Sequence, residues 1–221
     1  MQNEIQSLAA DLLLLVISSP SGAGKTTLTR RLLAQFPELT FSVSHTTRAP
    51  RQSEVDGQDY YFVNQSDFVD MQRRGAFAEW AQVHTNLYGT SVSELERAKR
   101  QGHHGIVFDV DYQGARQIKC SFPHAVSVFI LPPSMHELKR RLHSRGLDAP
   151  EVIERRYQKA LVEIEHYAFF DYLIVNHDLA QADAELCGIV YAERCRRRRR
   201  AAAAERLLLG GEGVPPVTAG L

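Results

Sequence analysis

Cysteine is scarce in this sequence: Cys120, Cys187 and Cys195 are the only three thiols among 221 residues, an odd number without zinc spacing. That excludes a disulfide scaffold, and reduced structural thiols are expected. Long apolar runs are missing as well. The longest, Leu12 to Ile17, is far short of the roughly 20 residues a membrane span needs. Acidic Glu4 and Asp11 flank that run and no basic segment precedes it, which argues against a signal peptide. A cytoplasmic protein without a membrane partner is expected. Neither sign of charge dominates, since Lys+Arg and Asp+Glu both number 26. Arg196 to Arg200 nevertheless form one unbroken run. Without those five, 21 basic residues face 26 acidic ones, a balance of −5. The folded body is therefore mildly acidic, and no specific nucleic-acid partner is expected. No internal repeat is visible. What is present is ordinary for a folded domain, 44% hydrophobic and 24% charged residues.

Residues 12–18 form a short apolar run that ends in Ser-Pro-Ser-Gly, the mark of a strand buried on both faces. From Lys25, Leu28, Leu32 and Leu33 recur at helical spacing until Pro37 stops the helix. Residues 39–62 alternate β-branched and polar residues between turn signals, which predicts short antiparallel strands. Helices are expected over 66–75, capped by Ser66 or Asp67, and over 91–101, ended by Gly102. Further buried strands are read at 105–111, 125–131 and 172–176, and helices at 134–145, about 150–169 and 179 to about 200. Alternation of strands and helices predicts an α/β fold with a mostly parallel sheet covered on both faces. Residues 40–90 interrupt that alternation and read as an inserted β-rich subdomain. After Ala204 the chain reads as a loose tail.

The segment Ser18-Ser19-Pro20-Ser21-Gly22-Ala23-Gly24-Lys25-Thr26-Thr27 joins the first strand to the first helix. It matches G-x-x-x-x-G-K-[ST] except at the first position, where Ser19 replaces glycine. Gly22 and Gly24 let successive N–H groups turn toward phosphate oxygens, and the helix N-terminus adds its positive end. Lys25 supplies a cation for the β- and γ-phosphates, and the Thr26 hydroxyl is placed to bind Mg²⁺. A bare Gly-rich turn with a surface lysine is the plain alternative, and the strand-before, helix-after context argues against it.

A phosphate loop does not say what accepts the phosphoryl group. The next stretches are more specific: Phe41-Ser42-Val43-Ser44-His45-Thr46-Thr47-Arg48-Ala49-Pro50-Arg51, then Glu54, Gly57 and Asp59-Tyr60-Tyr61-Phe62. Glu79-Trp80-Ala81, Tyr88-Gly89-Thr90 and Asp109-Val110-Asp111-Tyr112-Gln113-Gly114 follow in order. From about residue 12 to 195 this series closely resembles the guanylate kinase family. The resemblance implies a three-layer P-loop NTPase sandwich, with ATP as co-substrate and Mg²⁺ as cofactor. It implies a core of residues 1–38, 92–133 and 159–206, a GMP-binding insertion at 39–91, a helical lid at 134–158 and a disordered tail at 207–221. Ser19 to Thr27 would hold the ATP phosphates, with Asn176 near the ATP base.

Guanine offers N1–H and N2–H₂ as donors and O6 as acceptor, so one carboxylate can accept both donors where adenine would face it with a lone pair. By the resemblance Glu79 is that carboxylate, and Ser44 and Thr90 donate toward O6. Arg48 and Arg51 can fork onto the GMP phosphate, with Tyr60 and Tyr88 adding hydroxyls. Asp111 matches a further guanine contact. Asp109, two residues earlier on the same predicted strand face, reads as a group that orients a metal-bound water or pairs with an arginine. Arg141, Arg145 and Arg156 match the lid arginines that reach the phosphates, the alternative being a solvated basic face with pairs such as Glu137–Arg141. Nothing at the guanine contacts senses the 2′-hydroxyl, so dGMP is expected as a second acceptor. His45 reads as a solvated histidine at a strand end, and His103 and His104 as surface residues. Two other readings stay open here: an inactive binding module of the same fold, and a kinase for another nucleoside monophosphate. Oligomeric state is left open, a homo-oligomer included.

Overall fold

A computed structural model describes residues 9, 11–83, 85–144 and 149–210. Two sheets organise the chain. The larger has five parallel strands in the order β2 (Leu39–Phe41), β7 (Gly105–Asp109), β1 (Leu13–Ser18), β8 (Val126–Leu131) and β9 (Tyr172–Val175). All six residues of β1 are buried, because the central strand has helices over both faces. Alternation along β1 splits the core. Leu13, Leu15 and Ile17 pack with Leu28 and Leu32 of α1 (Lys25–Gln35) and with Leu186 and Val190 of α7 (Leu179–Arg194). Leu12, Leu14 and Val16 belong to the opposite cluster, with Leu95 and Ala98 of α3 (Ser93–Arg100) and Ala115 and Ile118 of α4 (Tyr112–Ser121). Truncating a fully buried leucine such as Leu32 in cores of this kind costs about 2–5 kcal/mol.

The second sheet has the order β4 (Tyr61–Phe62), β3 (His45–Thr46), β6 (Asn86–Ser91) and β5 (Phe77–Val83), with α2 (Gln65–Arg73) between β4 and β5. The pair β5–β6 is antiparallel, and its register shifts between Phe77 and Glu79. That irregularity buries Ala78 and Glu79 in succession, so Glu79 and Ala81 come to face inward together. The helix pair α5 (Met135–Ser144) and α6 (Pro150–Glu165), read in the sequence as a lid, packs on its own small cluster of Leu138, Leu142, Ile153 and Ala160.

Several sequence expectations are corrected. β2 joins the parallel core sheet beside β7, and β3 and β4 run parallel to each other, so residues 39–62 are not a set of antiparallel strands. The cap of α2 is Asn64, whose side chain accepts from the Asp67 amide, in place of Ser66 or Asp67. β7 stops at Asp109, and Asp111 caps α4, a helix the periodicity did not reveal. Asp109 and Asp111 therefore do not share one strand. The last helical stretch breaks at Cys195 and Arg196 and resumes as α8 (Arg197–Leu208), beyond the point where a tail was expected. Among the described residues no helix is long and apolar enough to cross a membrane.

Candidate active site

The phosphate loop leaves the carboxyl end of β1, the usual ligand side of a parallel sheet. Gly22 and Gly24 have φ values of +94° and +104°, where a side chain is strained. A Cβ on Gly22 would stand 3.1 Å from Leu138 Cδ1 of α5, and one on Gly24 would collide with Asn176 Nδ2. α1 starts with no side-chain cap and no acidic residue in its first turn, so its leading N–H groups are left for an anion. Lys25, the first residue of that helix, touches Asp109 at the end of β7. Burial pulls the Lys25 ammonium down to about 8, against the opposing charges of Glu163 and Asp111.

A cleft of about 410 Å³ joins this loop to the second sheet. Ser19, Pro20, Ser21, Gly22, Gly24, Lys25, Thr26 and Thr27 line one side of it. Ser44, Tyr60, Glu79 and Tyr88 line the end formed by the second sheet, and Asp109 and Asp111, at the end of β7 and the start of α4, also line the cleft. Thr90 lies buried beneath them. Its amide donates to Glu79 Oε1 at 2.8 Å, and its hydroxyl is 3.1 Å from Ser44 Oγ. Glu79 is only 5% exposed, and burial pushes its carboxyl up to about 7, with the Asp111 charge adding to the rise. A Cβ on Gly114 would stand 2.7 Å from Glu79 Oε2, so a side chain there would push that carboxylate from its present place. Asp111 Oδ1 accepts from the Gln113 and Gly114 amides at 3.0 and 3.1 Å, which fixes the start of α4 beside Glu79.

Arg48 is held by both oxygens of Glu54, at 2.8 and 2.9 Å, and lies over the Tyr60 ring at 5.4 Å. The Arg51 side chain is 77% exposed, while its amide donates to the same carboxylate at 2.8 Å. Both arginines stand outside the cleft lining. Arg141 donates to Glu137 at 2.8 Å and to the Asn176 carbonyl at 3.1 Å. Arg156 donates to Ser21 Oγ at 2.6 Å, which ties α6 to the phosphate loop. Arg145 lies outside the described residues.

Asn176 gains a structural contact, and one expectation, for His45, is corrected. Asn176 is 5% exposed, and its Nδ2 donates to the Ala23 carbonyl at 2.7 Å. It braces the phosphate loop from behind. His45 is not solvated: its ring is half-buried, with Tyr61 at 4.7 Å and Phe77 at 5.7 Å, and burial lowers its pKa.

Sequence reasoning missed Glu163, on α6, which also lines the cleft. Its Oε2 is buried without a hydrogen-bond partner, and burial pushes its carboxyl upward, with Lys159 and Lys25 partly offsetting this. A lone glutamate in a mixed-charge helix carries no signal of that placement. Glu54 was visible only as part of a motif, and its grip on Arg48 spans a turn that spacing alone does not define.

A phosphate loop on a five-stranded parallel sheet, facing a second sheet with a buried carboxylate, defines a P-loop phosphotransferase with a second pocket for its acceptor. The family model described as guanylate kinase matches residues 12–193. Guanylate kinase of Geobacter metallireducens is 50% identical, covering 83% of this chain and 90% of that protein. Guanylate kinase of Myxococcus xanthus is 47% identical over 90% of this chain and 95% of that protein. The crystal structure of guanylate kinase from Anaplasma phagocytophilum superposes with a TM-score of 0.71 at 34% identity, covering 89% of this chain and 95% of that one. The chain belongs to the guanylate kinase family, and its general activity is phosphoryl transfer from ATP to GMP.

Proposed function

We propose that ATP enters by the phosphate loop and GMP by the second sheet, so that a GMP phosphate oxygen attacks the γ-phosphorus in line as the bridging bond to ADP breaks. Transfer of this kind needs positioning and charge stabilisation rather than a protein nucleophile. The backbone of Ser19 to Thr27 holds the β- and γ-phosphates, and Lys25 leaves Asp109 to neutralise them. Arg141 swings from Glu137 and the Asn176 carbonyl onto the transferring group, joined by Arg156 and Arg145. Arg48 and Arg51, aligned by Glu54, take the GMP phosphate with the Tyr60 and Tyr88 hydroxyls. The observation that carries the acceptor assignment is Glu79, a carboxylate buried in the wall of the cleft that the phosphate loop shares. Guanine N1–H and N2–H₂ would fill the lone pairs that the Thr90 amide leaves open, and adenine would face them with a lone pair of its own. Ser44 and Thr90 face O6, and Asp111 lies at the guanine edge.

The donor set fits Mg²⁺ in one way only. Among the described residues no group of three or more His, Cys, Asp or Glu is arranged to hold a metal, so most ligands would come from nucleotide and water. Thr26 Oγ1 would bind it directly and Asp109 through water. When bound, the ion supplies charge neutralisation at the phosphate oxygens. By the resemblance the acceptor is held through its base and its phosphate, and dGMP, which carries both, would serve as a second acceptor. Three free thiols fit a cytoplasmic setting. The test is initial velocity of ADP formation from Mg·ATP with GMP, dGMP, AMP, UMP and dTMP side by side. Activity confined to GMP and dGMP is expected, whereas strong activity with another base would void the roles of Glu79, Ser44 and Thr90.

A further inference from the structure

Glu94 and Arg97 lie on α3, a core helix, outside the cleft lining and outside every motif read in the sequence. Glu94 is 2% exposed. Its Oε2 accepts from the Val43 amide at 2.7 Å and from Arg97 at 2.8 Å. Its Oε1 accepts from Arg97 Nε at 3.1 Å and from the Tyr61 hydroxyl at 3.3 Å. Arg97 donates onward to the Phe41 carbonyl at 2.7 Å. Phe41 ends β2, the last strand of the core sheet before the chain crosses to the second sheet at His45. The Tyr61 amide, in turn, donates to the Ser44 carbonyl at 2.9 Å. Ser44 is thus gripped from both sides, through Val43 before it in the chain and through Tyr61 across from it.

We propose that Glu94 is a positioning residue for the guanine end of the cleft, acting through Ser44. A carboxylate this deeply buried is tolerated when a guanidinium, an amide and a phenol occupy its lone pairs, and removing it leaves those donors unmatched. Only the crossing segment then loses its anchor, because none of these bonds involves a residue of the phosphate loop. Ser44 Oγ stands 3.1 Å from Thr90 Oγ1, and hydrogen bonds fail with displacements of well under about 1 Å, so loss of the anchor misplaces a base-reading hydroxyl.

This inference rests on the guanine reading of Ser44, so Ser44→Ala is included in the test. KM for GMP and KM for ATP are measured for the wild type, Ser44→Ala, Glu94→Ala, Glu94→Gln, Tyr61→Phe and the double variant Ser44→Ala/Glu94→Gln. Glu94→Ala should raise KM for GMP about tenfold with KM for ATP within about twofold. Glu94→Gln keeps an acceptor for Val43, and Tyr61→Phe keeps the carboxylate, so each should raise it only about threefold. The double variant should add nothing beyond Ser44→Ala. Equal changes in both KM values overturn the inference. So do silent Glu94→Gln and Tyr61→Phe variants, which decide the matter even where Glu94→Ala does not fold. An unchanged KM for GMP in Ser44→Ala would instead overturn the guanine reading itself.

Discussion

At the phosphate-loop end of the cleft the lining comes from one short stretch, Ser19 to Thr27 with Ala23 buried behind it, and its shape is mostly backbone geometry. At the end proposed to read the base, Ser44, Glu79 and Thr90 come from separate stretches in and beside the second sheet and would act through side chains. The physical demands explain the contrast. An anion is recognised by any set of converging N–H groups at a helix start, and two glycines suffice to shape one. A purine is recognised by pairing particular donors and acceptors in a dry pocket, which requires polar side chains buried on a fixed frame. The two ends also bury opposite charges. Lys25 is brought down to about 8 and Glu79 up to about 7, so both titrate near the working range.

Removing one charge at each end separates the two sites. Lys25→Ala should lower kcat by about 10³-fold while GMP still binds, read by turnover and by equilibrium binding of GMP. A parallel loss of GMP binding would mean that the two ends are not independent. Glu79→Gln should lower kcat/KM for GMP by about 10²-fold and leave KM for ATP within about twofold. An equal loss for both substrates would make Glu79 a structural residue.

pH gives the smallest and sharpest contrast. The ionised Glu79 accepts guanine donors and the protonated Lys25 binds phosphate, so the two ends should fail in opposite directions. kcat/KM for GMP should fall several-fold from pH 8 to pH 6, in a limb that Glu79→Gln does not show. kcat/KM for ATP should fall as pH rises past about 8, where Lys25 loses its proton. A common pH profile for both substrates would break the comparison.

How far the sequence could be read differs in the same way between the two halves. The strand of residues 12–18, the loop and the helix from Lys25 are each encoded by neighbours in the chain, and the fold reproduces them within a residue or two. The second sheet was legible only as a break in alternation. Its parallel β3–β4 pair and the register shift before Glu79 depend on partners far away in sequence. α4 was hidden because Tyr112 to Ser121 mixes glycine, glutamine and basic residues without a long apolar run. Its buried stripe, Ala115 and Ile118, has a core to face only once the sheet exists.

By itself, the sequence determined the local chemistry: a phosphate loop after a buried strand, an arginine-rich helix, and carboxylates and hydroxyls in an order that resembles one family. Only the tertiary structure decided which of those groups meet. It placed Asn176 behind the loop, locked Arg48 onto Glu54, brought Glu163 into the cleft and ran the bonds from Glu94 to the crossing segment. Propensity and turn geometry act over a few residues and can be read in order. Buried pairing is fixed by what packing leaves within about 3 Å, and that distance is not a property of any one segment.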